Sequence, residues 1–338
     1  MERAEELAVR ADAAATLADA YRTTDDWGAL LEIVEHRVQV APDAAGRAAV
    51  LVEAALLHEQ RSGDPAAALA AVARAFPLTP ANALLEKELV RLAELTGGWP
   101  LAIEALGAAI AASAADALRG GTLRMQQGTL LEFHVGDHAR ALDAYLPVIA
   151  VFPESTEASQ AVVRVAGRVG RWEDAARAVV DSAHAQERVD VDVTQTFDRI
   201  ADETESWDAA TSALEAAVSR VEGLSPVVAR DLETQIAIWH RDRRQDAPRA
   251  ERAFLRAVGY DATDSETLRM LAVLQRKHPD AALLDTLSML ATASDDDLGV
   301  LYECAQVALD VVADRERALA ILDRILIGAK ARWTRTPL

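Results

Sequence analysis

Four groups of residues in this chain have the types and spacing to do chemistry. His134 and His138 stand four apart, the separation at which two imidazoles on one helix face can share a zinc ion. Gly136-Asp137 lies between them and predicts a helix break, and no third ligand is near, so no metal site is expected. Asp295-Asp296-Asp297 sets three carboxylates side by side, without the alternating spacing of a calcium loop. With Ser294 they read as the cap of the helix that follows. Cys304, the only cysteine, shares a helix with Leu301, Val307 and Ala308, and the nearest histidine in sequence, His278, falls in an earlier turn. That pattern predicts a buried, inert thiol and excludes an intrachain disulfide. There is no glycine-rich phosphate loop and no serine-hydrolase elbow, so neither catalysis nor a cofactor is expected.

The fourth group is a recurrence. Gln126, Gln160, Gln195 and Gln235 hold one position in successive segments. Arg91, Arg164, Arg199 and Trp239 hold a second position one helical turn further on. An amide both donates to and accepts from a peptide backbone, and a guanidinium grips a carboxylate bidentately. The chemistry suggested is non-covalent recognition of a polypeptide. Gln and Arg are also good helix formers, so a solvated helix face would show the same residues.

These side chains are useful only if the helices carrying them repeat, and the chain does repeat. His138 follows a Gly-Asp turn; three residues on stands Ala141 and seven on stands Tyr145. Equivalent starts are Trp27, Pro65, Trp99, Trp172, Trp207, Ala247, Asp280 and Arg315. The residues three on are Leu30, Ala68, Ala102, Ala175, Ala210, Ala250, Leu283 and Ala318. Those seven on are Val34, Val72, Leu106, Val179, Leu214, Phe254, Leu287 and Leu322. The two positions are four apart and share one helix face. A small residue lets two helix backbones approach, and the larger one fills the space beyond the crossing. Trp27, Trp99, Trp172 and Trp207 share the starting position, which predicts rings packed at the turns. Asp25 or Asp26 and Asp64 are placed to cap helices, and Asp64-Pro65 is a strong start signal. Arg119-Gly120-Gly121 predicts a break before a helix over 122–134, and Gln186 to Thr194 a longer link.

Gly63-Asp64, Gly136-Asp137 and Gly170-Arg171-Trp172, the Ala and large apolar residue after each, and the closing Pro42, Pro80 and Pro153 resemble the tetratricopeptide repeat family. The resemblance spans essentially the whole chain, although unit spacing wavers and the unit around Asp280 matches weakly. It implies an all-α, right-handed superhelical solenoid of about nine antiparallel helix pairs. It also implies first helices lining a concave groove, with the Gln and Arg positions facing it. The function implied is a non-catalytic protein-interaction scaffold holding a peptide or helical segment of a partner. The alternative is a regulatory or sensor segment of a larger multidomain protein.

A solenoid grows without splitting into domains, so residues 1–327 are expected to form one array, with 328–338 a short basic tail. The net charge of −19 opposes nucleic-acid phosphate and anionic membrane alike, so neither is expected as a partner. No apolar run reaches membrane length, and the start has no signal-peptide character, which points to a cytoplasmic protein. Ile325, Leu326 and Ile327 have no evident cover at the end of the array. Self-association through this last repeat, or a tail folded back with Trp333 over the end, would supply one.

Overall fold

The computed structural model describes residues 2–333. Every regular element among them is helical: nineteen α-helices, a 3-10 turn at Phe76–Leu78 and a π-turn at Leu131–Val135. Two compact units are present, Met1–Val165 and Ala166–Leu338. In the first, helices pack in consecutive pairs: Ala44–Gln60 with Pro65–Ala75, Ala83–Thr96 with Trp99–Ala112, and Ala117–Leu130 with His138–Val151. In the second, the pairs are Val191–Glu203 with Trp207–Arg220, Pro226–Asp242 with Ala247–Tyr260, Ser265–Gln275 with Ala281–Ala293, and Leu298–Asp310 with Arg315–Trp333.

The sequence repeat is a packing repeat. All nine residues three on from the starts are buried, and the seven alanines among them have no exposed surface. Of the residues seven on, all but Leu322 are buried, Leu106, Tyr145, Leu214, Phe254 and Leu287 completely. Eight of the nine expected starts open a helix. Asp280 is the exception. Its carboxylate accepts from the Ala282 and Leu283 amides, so it caps a helix that begins at Ala281.

The turns share a backbone device. Two residues before the helix start, Gly63, Gly97, Gly136 and Gly170 turn through the left-handed region at φ 64, 70, 74 and 77°. Asp25, Glu205, Gln245 and Ala313 do the same with side chains, at φ 54, 52, 54 and 59°. In most turns the next residue is an aspartate whose carboxylate takes a first-turn amide: Asp26 from Ala29, Asp64 from Ala67, Asp137 from Arg140 and Asp246 from Arg249. The left-handed residue turns the chain, and the cap satisfies an orphan donor of the next helix.

Four local expectations are corrected. Gly120 and Gly121 lie inside the helix Ala117–Leu130. A Cβ on Gly121 would meet Phe152 Cε2 at 2.6 Å, so the glycine serves close packing and does not break the helix. The link after Gln186 is short, because Asp190 already caps the helix from Val191. The helix that the sequence predicts from Trp27 to about Val40 divides at Ile33 into Trp27–Glu32 and Val34–Val40. The last helix continues past Ile327 to Trp333. Residues 334–338, and any covering role of the Trp333 side chain, lie outside what is described.

The tryptophans at the turns pack in three of four cases. Trp172 is buried edge-on to Phe197, with ring centroids 5.3 Å apart. Trp99 stacks on His134 at 3.8 Å. Trp207 donates its indole N–H to Asp202 at 2.8 Å. Trp27 is exposed. Cys304 is 1% exposed, and burial pushes its thiol up from the ordinary range. No group of three or more His, Cys, Asp or Glu able to hold a metal occurs among the described residues. Nor is any described helix long and apolar enough to cross a membrane.

Candidate functional site

The eight recurrent residues separate into two kinds once their partners are known. In the first unit, Arg91 is exposed, and its guanidinium is taken by Glu59 and Glu88 at 2.6 and 2.5 Å. Arg164 makes a bidentate pair with Glu132: Nε to Oε1 at 2.6 Å and a second nitrogen to Oε2 at 2.8 Å. The Glu132 side chain is only 1% exposed, and Oε2 also accepts from the Tyr145 hydroxyl at 3.1 Å. The Glu132 hydrogen bond raises the Arg164 pKa, and burial pushes the Tyr145 phenol up to about 12. Gln126 and Gln160 are both half-buried, and the Gln126 carbonyl oxygen is buried without a hydrogen bond.

In the second unit, Arg199 is exposed and bound to Glu203 one turn on, at 3.0 Å. Trp239 is 2% exposed, stacked on Phe197 at 5.1 Å and tilted against Trp207 at 5.7 Å. The expectation of a ligand-facing tryptophan is therefore corrected. Phe197, Trp207 and Trp239 form an aromatic core, since burying such rings is worth more than exposing them. Each of the three arginines holds a carboxylate of its own chain, Arg164 in a half-buried pair and Arg91 and Arg199 at the surface.

Gln195 and Gln235 are brought together. They line one cavity of about 530 Å³ between three first helices, Val191–Glu203, Pro226–Asp242 and Ser265–Gln275. Each helix contributes a threonine to the same wall, Thr194, Thr234 and Thr267. The hydroxyls of Thr234 and Thr267 lie 3.2 Å apart across neighbouring helices. A smaller cavity of about 250 Å³ shares Asp198, Gln235 and Ile238 with it. The threonines were not singled out from the sequence, although a signal was there. Each stands thirteen residues before its unit's start, beside the Gln position.

The charge of this groove is one-sided. Asp198, Asp231, Asp264 and Glu266 line it against a single guanidinium, that of Arg230. Arg230 is already held by Asp231 at 2.7 Å and Asp261 at 3.0 Å, and the Asp231 hydrogen bond is the main cause of its raised pKa. Asp198 Oδ2 accepts from Arg243 at 2.9 Å, whereas Oδ1 is buried and accepts no hydrogen bond.

No protein-family model matches the chain, and no curated protein is similar to it. Solved structures of similar fold include a tetratricopeptide repeat protein from Parabacteroides merdae, at 12% identity over 79% of this chain and 99% of that one, with a TM-score of 0.31. The TPR2AB domain of yeast Sti1, in complex with an HSP90 peptide, covers 74% of this chain and 92% of its own at 14% identity, with a TM-score of 0.27. The TPR domain of P58(IPK) covers 96% and 99% at 13% identity, also with a TM-score of 0.27. At these levels the class of the chain rests on its own succession of paired helices, a helical-repeat fold.

Proposed function

We propose that the chain is a non-catalytic protein-interaction scaffold that holds a segment of a partner protein against the first helices of its second unit. The observation that carries this reading is the meeting of Gln195 and Gln235, singled out by recurrence, in one groove beside Thr234. Amides and hydroxyls at repeat spacing can exchange hydrogen bonds with a backbone whatever its side chains. The groove has the size of a ligand site. At about 0.5–1.5 kcal/mol per net hydrogen bond, a handful of such contacts supplies a few kcal/mol before ordering costs, so binding through them alone is weak.

Selection of random displayed peptides on the purified chain tests this. Peptides that bind the wild type should be lost on a Gln195→Ala, Gln235→Ala double variant that melts at the same temperature. Enriched peptides that bind the double variant equally well would place recognition elsewhere and refute the assignment.

A further inference from the structure

We infer that the last described helix pair, Leu298–Asp310 with Arg315–Trp333, is an interface for a second copy of this chain, the two copies meeting about a twofold axis. None of the residues that carry this interface lines the groove, and it does not rest on the groove reading.

The first observation is positional. In the second unit a second helix packs on the first helix of the following pair, Ala247–Tyr260 on Ser265–Gln275 and Ala281–Ala293 on Leu298–Asp310. The covered stripe falls four and eleven residues on from each start. Ala176, Thr211 and Leu284 hold the first position and are buried; Glu251, half-buried there, accepts from the Gln275 amide of the following helix at 2.8 Å. Ala183, Val218, Val258 and Ala291 hold the second position, and all are buried. Between the two, Ser288 meets Cys304 of the following helix, with Oγ 3.4 Å from Sγ. In the last pair these positions are Leu319 and Leu326, and they are 63% and 67% exposed.

The first helix repeats the contrast. Six residues before the start, Ala201 and Leu274 are buried, Arg241 is half-buried and Leu309 is exposed. Thirteen before, Thr194 and Thr267 are buried, Thr234 is half-buried and Tyr302 is exposed. The last pair thus carries the face on which each pair receives its successor, uncovered and with four large apolar side chains. A solenoid face left to water is normally polar, and an exposed apolar patch marks an association site.

The second observation is charge. The chain carries −19, yet residues 298–333 hold five acidic and five basic residues and are neutral. The repulsion that keeps two such acidic chains apart is therefore weakest at this pair. What fits a face of this kind is a helix pair with the same spacing of small and large residues, and a second copy brings one. About a twofold axis the same side chains close on their own counterparts, so each copy covers the other and growth stops at two.

Sedimentation velocity over a wide range of concentration tests this. The wild type should pass from monomer to dimer with no larger species, and no more weakly as salt is raised. Leu319→Glu with Leu326→Glu should weaken the dimer at least tenfold at an unchanged melting temperature, since both residues are exposed in the single chain. Val227→Glu with Leu255→Glu adds equal charge at exposed apolar positions elsewhere and should change it less than twofold. If the first variant lowers the melting temperature, Leu326→Glu alone serves, with the same loss expected. A monomer at every concentration would overturn the interface. So would a dimer that the Leu319 and Leu326 changes leave intact, that the control weakens equally, or that salt dissociates. Growth beyond the dimer would show head-to-tail stacking and overturn the twofold arrangement.

Discussion

Gly128→Ala should destabilise the first unit, although glycine-to-alanine in a helix interior normally stabilises. Gly128 sits in the helix Ala117–Leu130 against the ring of Tyr145, which has no exposed surface. A Cβ there would lie 2.7 Å from Tyr145 Cδ1 and 2.8 Å from Cζ. Carbon atoms prefer about 3.5–4.0 Å, so the ring would have to withdraw by roughly 1 Å. Its hydroxyl is tied to Glu132, so withdrawal also strains the Glu132–Arg164 pair. Overpacking costs about 1–3 kcal/mol, and the helix preference of alanine returns about 0.5–1 kcal/mol. The net loss is about 1 kcal/mol, within a range of about 0–2.5, or about a fivefold rise in local opening. Two compact units need not unfold in one step, so the readout is segment-resolved hydrogen exchange over 117–151. Gly259→Ala is the control: nothing lies within 4 Å of its Cβ, and it should be neutral or stabilising. Unchanged or slower exchange in Gly128→Ala would show that Tyr145 does not pack on this glycine.

Ala313→Gly should stabilise the second unit by about 0.5–1 kcal/mol, since a left-handed L-residue costs about 1–2 kcal/mol and glycine's extra chain entropy offsets part of the gain; a lower denaturation midpoint would contradict the turn geometry. Arg164→Ala should cost on the order of 3 kcal/mol by removing the cation from buried Glu132, whereas Arg199→Ala should cost less than about 0.5 kcal/mol; thermal melts that rank the two the other way would refute the partner assignment. The His240 hydrogen bond holds the Glu215 carboxyl below the usual carboxylate range, so its stabilising contribution is present above the unfolded value of about 4.3 and is lost as pH falls through the lower folded value. Acid denaturation of Glu215→Gln should therefore be flatter below that pH than wild type, and parallel curves would exclude the linkage. Leu326 and Ile327 are 67% and 71% exposed, so light scattering should show a concentration-dependent mass that a Leu326→Lys, Ile327→Lys variant lacks; a constant monomer mass in both would exclude association through this face.

The packing repeat was legible because one steric demand recurs in seven of the nine units. A close helix crossing accepts only a small residue such as Ala141 or Ala175, and repetition makes that constraint visible without any structure. Gln195 and Gln235 were legible for the same reason. The partners of the arginines were only partly legible. Glu88 and Glu203 stand within one turn of Arg91 and Arg199, but the carboxylate that binds Arg164 stands 32 residues earlier, as does the second one for Arg91, and no local pattern announces it. Arg199 has Gly167 at that distance and turns instead to Glu203. Trp239 was misplaced because helical position alone does not reveal that Phe197 and Trp207 close over it. Gly120-Gly121 was read as a break because helix propensity disfavours glycine, while Phe152 in fact requires the missing Cβ at Gly121.

The backward reach of Arg91 to Glu59 and Arg164 to Glu132 makes neighbouring repeats of the first unit unequal partners. Each such repeat supplies the carboxylate that its successor must neutralise, and in Glu132 that carboxylate is sealed from water. A lineage that gains or loses single repeats by recombination would strand such a charge at the new junction, unless the donor and acceptor segments were inherited together. Exchange is thus favoured in blocks that keep an acid and the arginine after it, and chimeras joined between residues 132 and 164 should express worse than those joined elsewhere.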